Sequence, residues 1–315
     1  MNVAREIYWL GAGFALLLVW LAVPPWRRAC ERLGLMDAPG ARKLHRQPVP
    51  LAGGLAILSG LLLSATLLLA FSDALRDRMV EHGRLWICVG AGAVLMTGLG
   101  VLDDRHVLRP GPKFALQLAV ALLLAAAGLR ITLFVENPVF QYAVTALWML
   151  TVINAFNFMD NMNGLCAGLG AIAAATFAVA AARHTQQAEV VFSLLVCGGL
   201  LGFLPYNYPR ARVFLGDAGS HLVGYCVAVL AILPSFHTRS DPRPLAVLTP
   251  LLILAVPLLD MAWMVVVRTR AGQPFYVGDT NHLSHRLVRR GLSEAQAVAL
   301  IWGLAAATSA LALWL

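Results

Sequence analysis

VINAFNFMDNMNGLCAG, residues 152–168, lies between two apolar runs and carries four asparagines and one aspartate where a membrane-embedded helix would carry leucine. One Asp at the centre of a membrane helix costs about 2.5–3.5 kcal/mol on insertion scales. The cluster of Asn154, Asn157, Asp160, Asn161 and Asn163 therefore belongs at a water-accessible helix end or in a site. Asparagine amides both donate and accept, which suits a base or a sugar amide, while Asp160 can ligate a cation or take a proton. A turn capping the next helix is the competing reading, but a cap needs one such residue rather than five.

The surrounding sequence sets the membrane frame. Of 315 residues, 59% are hydrophobic and only 13% charged, and the mean hydropathy of +0.74 lies outside the range of ordinary soluble domains. Ten apolar runs approach the ~20 residues a membrane helix needs: roughly 7–26, 51–71, 85–102, 114–133, 139–153, 164–182, 190–205, 221–236, 245–267 and 295–315. The fifth and seventh are short. The first lacks a small-residue cleavage site before Pro24 and Pro25 and reads as a retained span. If the loops after the odd-numbered spans share one side, that side holds about 16 of the 24 Lys and Arg residues and is the cytoplasmic one. An even span number then puts both termini on the periplasmic side. The expected fold is an all-α polytopic integral membrane protein of about ten helices. With no internal repeat or soluble segment, residues 1–315 read as a single transmembrane domain.

The net charge of +8 and the pI near 9.7 come mainly from short loops without a nucleic-acid motif. They fit topology and attraction to anionic lipid and substrate, and no nucleic-acid partner is expected. The five cysteines show no metal-ligand spacing, so neither zinc nor a disulfide is expected.

Four further polar stretches fall on the basic side. In ARKLHRQPVPLAGGLAI, Lys43, His45 and Arg46 stand ready for an anion before the glycines that open the second span. In GLGVLDDRHVLRPGPKFALQ, Asp103 and Asp104 are adjacent; two carboxylates 4 Å apart repel by about 4 kcal/mol at an effective dielectric near 20. Such a pair requires a divalent cation, a shared proton or a basic partner, and it fits a Mg²⁺ site completed by water and phosphates. Lys113 and Gln117 share a helical face turned toward the same loop.

In PYNYPRARVFLGDAGSHLVG, Asp217 sits between glycines at the start of an apolar helix, so free amides are expected to face whatever Asp217 faces. A metal-bridged diphosphate fits that combination, with Phe214 able to stack on a base. In RTRAGQPFYVGDTNHLSHRLVRRGLS, His282, His285 and Arg286 offer cationic donors beside Asp279. Asp260, inside the ninth span, is expected to pair with a loop Arg or Lys.

In this order the motifs PVPLAGG, GVLDDR with Lys113 and Gln117, NAFNFMDNMNGL, PYN with VFLGDAGS, and DTNHLSHR resemble the polyprenyl-phosphate N-acetylhexosamine-1-phosphate transferase superfamily, from Arg42 to about Leu292. Arg105 after the aspartate pair, and His-x-x-His-Arg in place of a triple histidine, make the chain more similar to GlcNAc-1-phosphate transferases than to phospho-MurNAc-pentapeptide translocases. The resemblance implies a Mg²⁺-dependent enzyme of the bacterial inner membrane, with Mn²⁺ as an alternative ion. Its active site faces the cytoplasm, where a UDP-N-acetylhexosamine gives its sugar 1-phosphate to a polyprenyl phosphate and UMP leaves. The reaction would initiate a cell-envelope glycan. Another UDP-N-acetylhexosamine or UDP-MurNAc-pentapeptide is the alternative donor, and a homodimer is left open.

By the same resemblance Asp103, Asp104, Asp160 and Asp217 form the catalytic and metal-binding set, with His282 and His285 in the catalytic loop. Lys43, His45, Lys113, Arg212, His282, His285 and Arg286 are expected to cradle phosphates, and Asn154, Asn157, Asn207 and Phe214 to meet nucleoside and sugar. Val107, Asn161, Asn163 and Ser284 depart from the family pattern and point to a different sugar or an altered metal environment. A proton- or cation-coupled transporter would instead place its acids near the bilayer midplane within a repeat, which this chain does not show.

Overall fold

The computed structural model describes residues 2–38, 47–234, 247–274 and 281–314. Among them, eight helices are long and apolar enough to cross a membrane. These are α1 (Asn2–Leu33), α2 (Gly53–Phe71), α4 (Gly83–His106), α5 (Pro110–Ala127), α6 (Pro138–Met159), α7 (Leu165–Arg183), α8 (Gln187–Asn207) and α13 (Glu294–Trp314). The chain is an all-α polytopic membrane protein. A short α3 (Asp73–Glu81) joins α2 to α4, and a small antiparallel pair, β1 (Met36–Asp37) and β2 (Val49–Pro50), stands between α1 and α2.

The fifth and seventh runs, short as apolar sequence, are the full-length helices α6 and α8, of 22 and 21 residues. Both continue into polar sequence, α6 through Asn154 and Asn157 and α8 to Asn207. The eighth run forms α9 (Gly216–Leu230), only 15 residues, or about 22 Å at 1.5 Å per residue. A helix shorter than the ~30 Å hydrocarbon layer is tolerated here because α9 does not face lipid. It packs on α2, α4, α6, α7 and α8, and every one of its residues except Asp217 is buried. The ninth run is broken at Leu254 into α10 (Thr249–Ile253) and α11 (Ala255–Arg270); α12 (Leu283–Arg289) then precedes α13.

Cross-links between distant loops gather the polar stretches at one end of this bundle. Gly53 N and Gly54 N donate to the carbonyls of Phe214 and Leu215, and Phe214 N donates to Pro50 O. Tyr208 Oη donates to Ala295 O. Gly100 on α4 lets that helix press against the first turn of α9: a Cβ there would overlap the Ala218 backbone and the Asp217 carbonyl.

Overpacking a close helix contact costs about 1–3 kcal/mol. Gly100→Ala is thus expected to lower the unfolding temperature in detergent, whereas Gly98→Ala, where an added Cβ meets nothing within 4 Å, leaves it unchanged or slightly raised. Equal behaviour of the two variants in a thermal melt would contradict the packing described.

Candidate active site

The site is built on the first turn of α9. The residue before it, Leu215, has no side chain able to cap a helix, and Gly216 takes φ +71°, a conformation that glycine adopts without strain. The cap comes from another helix. Asp104, at the end of α4, accepts the amide hydrogens of Asp217 (2.8 Å, Oδ1) and Ala218 (3.1 Å, Oδ2). The amides expected to lie free for a diphosphate are therefore taken by the protein's own carboxylate. The missing Cβ of Gly216 leaves room for it, since an added Cβ would stand 2.8 Å from Asp104 Oδ2.

Asp103, only 4% exposed, is ion-paired through Oδ2 with Lys113 at the head of α5 and accepts Leu108 N through Oδ1 at 2.8 Å. Lys113, rather than Arg105 or Arg109, is its basic partner. The turn that brings Leu108 back passes through Val107 at φ 47°, a strained conformation for a β-branched residue. The Asp104 cap brings Asp217 beside Asp103, and the two carboxyl groups act on each other electrostatically.

The asparagines of α6 are largely committed to protein. Asn157 Nδ2 donates to Asp217 Oδ1 at 2.6 Å and to Ser220 Oγ at 2.9 Å. Asn154 Nδ2 donates to Gln117 Oε1 at 2.7 Å, which ties α6 to α5. Asn161 donates to Phe158 O and accepts the Ser284 hydroxyl at 2.6 Å. Asp160 ends α6; burial, reinforced by the charges of Asp217 and Asp104, pushes its carboxyl well above the usual carboxylate range. The four aspartates therefore share one acidic neighbourhood, although the bonds that align them were not legible from spacing.

Asn207, expected at the nucleoside, is 4% exposed and spent on backbone: Oδ1 accepts Gly164 N at 2.6 Å and Nδ2 donates to Val213 O at 3.0 Å. Arg212 lies over the Tyr206 ring and donates to Pro205 O. Phe214, half-buried, is held by the backbone bonds that join its loop to Pro50 and Gly53.

On α11 Asp260 finds a partner other than a loop Arg or Lys. Its Oδ2 lies 2.7 Å from His282 Nδ1, and Oδ1 accepts Leu283 N at 2.7 Å. A rigid buried imidazole reaches this carboxylate within the protein, so no long cation has to be desolvated. His282 stands edge-on to Phe158 and 6.4 Å from the His285 ring, and Arg286 lies over Trp263. Lys43, His45 and Asp279 fall outside the described residues.

Among the described residues no three His, Cys or acidic side chains close around one point. That excludes a preassembled cage of protein ligands there. Mg²⁺ does not require such a cage, since it binds through one or two carboxylates with water and substrate phosphates as the remaining ligands. Asp103 and Asp217 are the two carboxylates here that could supply such donors.

Residues 86–235 match the family model described as glycosyl transferase family 4. The chain is 32% identical over 296 residues to a probable undecaprenyl-phosphate N-acetylglucosaminyl 1-phosphate transferase of Bacillus subtilis (strain 168), covering 91% of this chain and 79% of that protein. It is 33% identical to the decaprenyl-phosphate N-acetylglucosaminephosphotransferase of Mycobacterium tuberculosis (strain ATCC 25618 / H37Rv), over 95% of this chain and 80% of that one. Its identity to the undecaprenyl-phosphate alpha-N-acetylglucosaminyl 1-phosphate transferase of Escherichia coli (strain K12) is 28%, over 87% and 75%.

Removing Asn207 should act through folding. Asn207→Leu leaves the Gly164 amide and the Val213 carbonyl without partners, at about 1–3 kcal/mol for each buried group, so a marked drop in thermal stability is expected. A variant as stable as the parent, with only substrate affinity lost, would return Asn207 to the ligand.

Proposed function

This chain belongs to glycosyl transferase family 4, and on that premise we propose that it transfers N-acetylglucosamine 1-phosphate from a UDP-sugar to a polyprenyl phosphate and releases UMP. A lipid phosphate oxygen attacks the β-phosphorus, the bond to the bridging oxygen breaks, and UMP takes the electron pair. The observation that carries this reading is the placement of Asp217 against the end of α4, where Asp104 accepts the Asp217 and Ala218 amides and the adjacent Asp103 is ion-paired with one lysine. Phosphoryl transfer draws mainly on positioning and charge neutralisation, and the residues around these carboxylates supply both.

Asp217 and Asp103 would hold Mg²⁺, which when bound neutralises charge on the diphosphate. Asn157 keeps Asp217 oriented by holding one of its oxygens. Lys113 balances Asp103 and is placed to meet a phosphate as substrate enters. Asp104 does its work as the cap that sets Asp217, and Asp160 adds a further acidic group at the end of α6. His282, His285 and Arg286, on the segment that Asp260 holds, would meet phosphates. Direct attack by the lipid is favoured, because neither substrate requires activation through the protein.

The positive-inside distribution of Lys and Arg supports a site on the cytoplasmic face, both termini on the periplasmic side, and one catalytic domain in a bacterial inner membrane.

The test is exchange of radiolabelled UMP with a panel of UDP-sugars in the presence of undecaprenyl phosphate and Mg²⁺. UDP-GlcNAc is expected to support exchange, and Asp217→Asn to reduce it at least about 100-fold while the protein still melts cooperatively. Full activity in that variant would remove Asp217 from the centre of the site, and exchange with no UDP-sugar would end the proposed reaction.

A further inference from the structure

α11 turns Asp260 and Arg268 inward and leaves several apolar residues exposed. Its buried face consists of Pro257, Asp260, Met264 and Arg268, whereas Leu259, Trp263 and Val266 are 69%, 44% and 41% exposed. Spacings of three and four residues put the buried set on one stripe. A buried acid persists only with a partner that satisfies it.

Asp260 is 5% exposed and uses both oxygens on one short segment, taking His282 Nδ1 and Leu283 N at 2.7 Å each. A carboxylate has no hydrogen to give, so Nδ1 carries the ring hydrogen and Nε2 is the nitrogen left for a ligand. The ring is fixed in other directions as well. Phe158 lies edge-on to it at 5.9 Å, and the Arg268 guanidinium covers the Phe158 ring at 4.8 Å. Phe158 follows Asn157, the residue that holds Asp217. Thus Asp260 clamps an imidazole beside the same turn of α6 that orients the acidic pair.

We propose that Asp260 is a positioning residue that acts through His282. It fixes the hydrogen on Nδ1 and anchors the start of α12, so that Nε2 is held toward the reacting phosphates. The phosphates rest on the function proposed above, whereas the placement of the hydrogen does not. Asp260→Asn keeps the shape and can still accept Leu283 N, but it offers an N–H to His282 and drives the ring hydrogen to Nε2, a substitution known to disable a buried Asp–His pair without disturbing its geometry.

The full-length protein in detergent, labelled with ¹⁵N-histidine, decides the matter, with the His282 signal assigned by its loss in His282→Ala. The parent is expected to show the hydrogen on Nδ1 and Asp260→Asn to show it on Nε2. In UMP-releasing transfer, Asp260→Asn should lower kcat about 10- to 100-fold with KM for UDP-GlcNAc within about twofold. In the His282→Ala background the same change should cost no more than about twofold further, the non-additivity expected of residues acting as one unit. A parent spectrum with the hydrogen on Nε2 would overturn the proposal, as would an equal loss with and without His282. If Asp260→Asn does not fold, the parent spectrum alone decides. A parent that transfers nothing from any UDP-sugar, yet shows the hydrogen moving from Nδ1 to Nε2 in Asp260→Asn, refutes the proposed activity and leaves the positioning role standing.

Discussion

A helix that begins inside an apolar bundle must find acceptors for its first amides, and α9 finds them on α4. Its opening N–H groups carry the positive end of the helix dipole and would be expensive to leave unpaired. The sequence just before α9 offers no capping side chain, and Asp104 supplies the cap across a separation of 113 residues. This one bond set fixes the rotation and depth of α9 against α4. Asp217 consequently stands beside Asp103, and Asn157 can reach it from α6. The acidic pair is a product of helix capping as much as of catalytic need.

How far this was legible from sequence follows from the forces involved. Hydropathy marks spans because lipid selects apolar side chains over whole helices, and the order of the polar stretches survives into the fold because alternating helices return them to one end. Span ends were less legible. The apolar runs of α6 and α8 stop at Asn154 and Pro205, yet their backbones stay helical to Met159 and Asn207, since a side chain of α5 satisfies Asn154 and loop backbone satisfies Asn207. Partnerships were least legible. Asp260 was expected to choose among loop cations and instead took His282, and the amides of α9 were expected to be free and are capped. Sequence displays which groups need partners. Which of several chemically suitable groups arrives depends on helix rotation, which local pattern does not encode.

α11 shows a related logic. In water an amphipathic helix hides its apolar stripe; the hidden stripe of α11 carries Asp260 and Arg268 beside Pro257 and Met264. Leu259 and Trp263 are left exposed. A reader of periodicity should therefore look in membrane helices for where polar residues repeat, because that face points to the protein interior.

The distance in chain between Asp104 and its amides also has a temporal meaning. At about 5–20 residues per second of synthesis, the 113 intervening residues take roughly 6–23 s to emerge. For that interval Asp103 and Asp104 sit at the end of an inserted helix with no α9 to receive them. They must stay hydrated at the membrane surface, which favours their location at the last turn of α4 over any deeper one. Lys113, ten residues after Asp103, is the only one of these cross-helix partners made early enough to shield the pair while the nascent chain waits for the rest of the pocket.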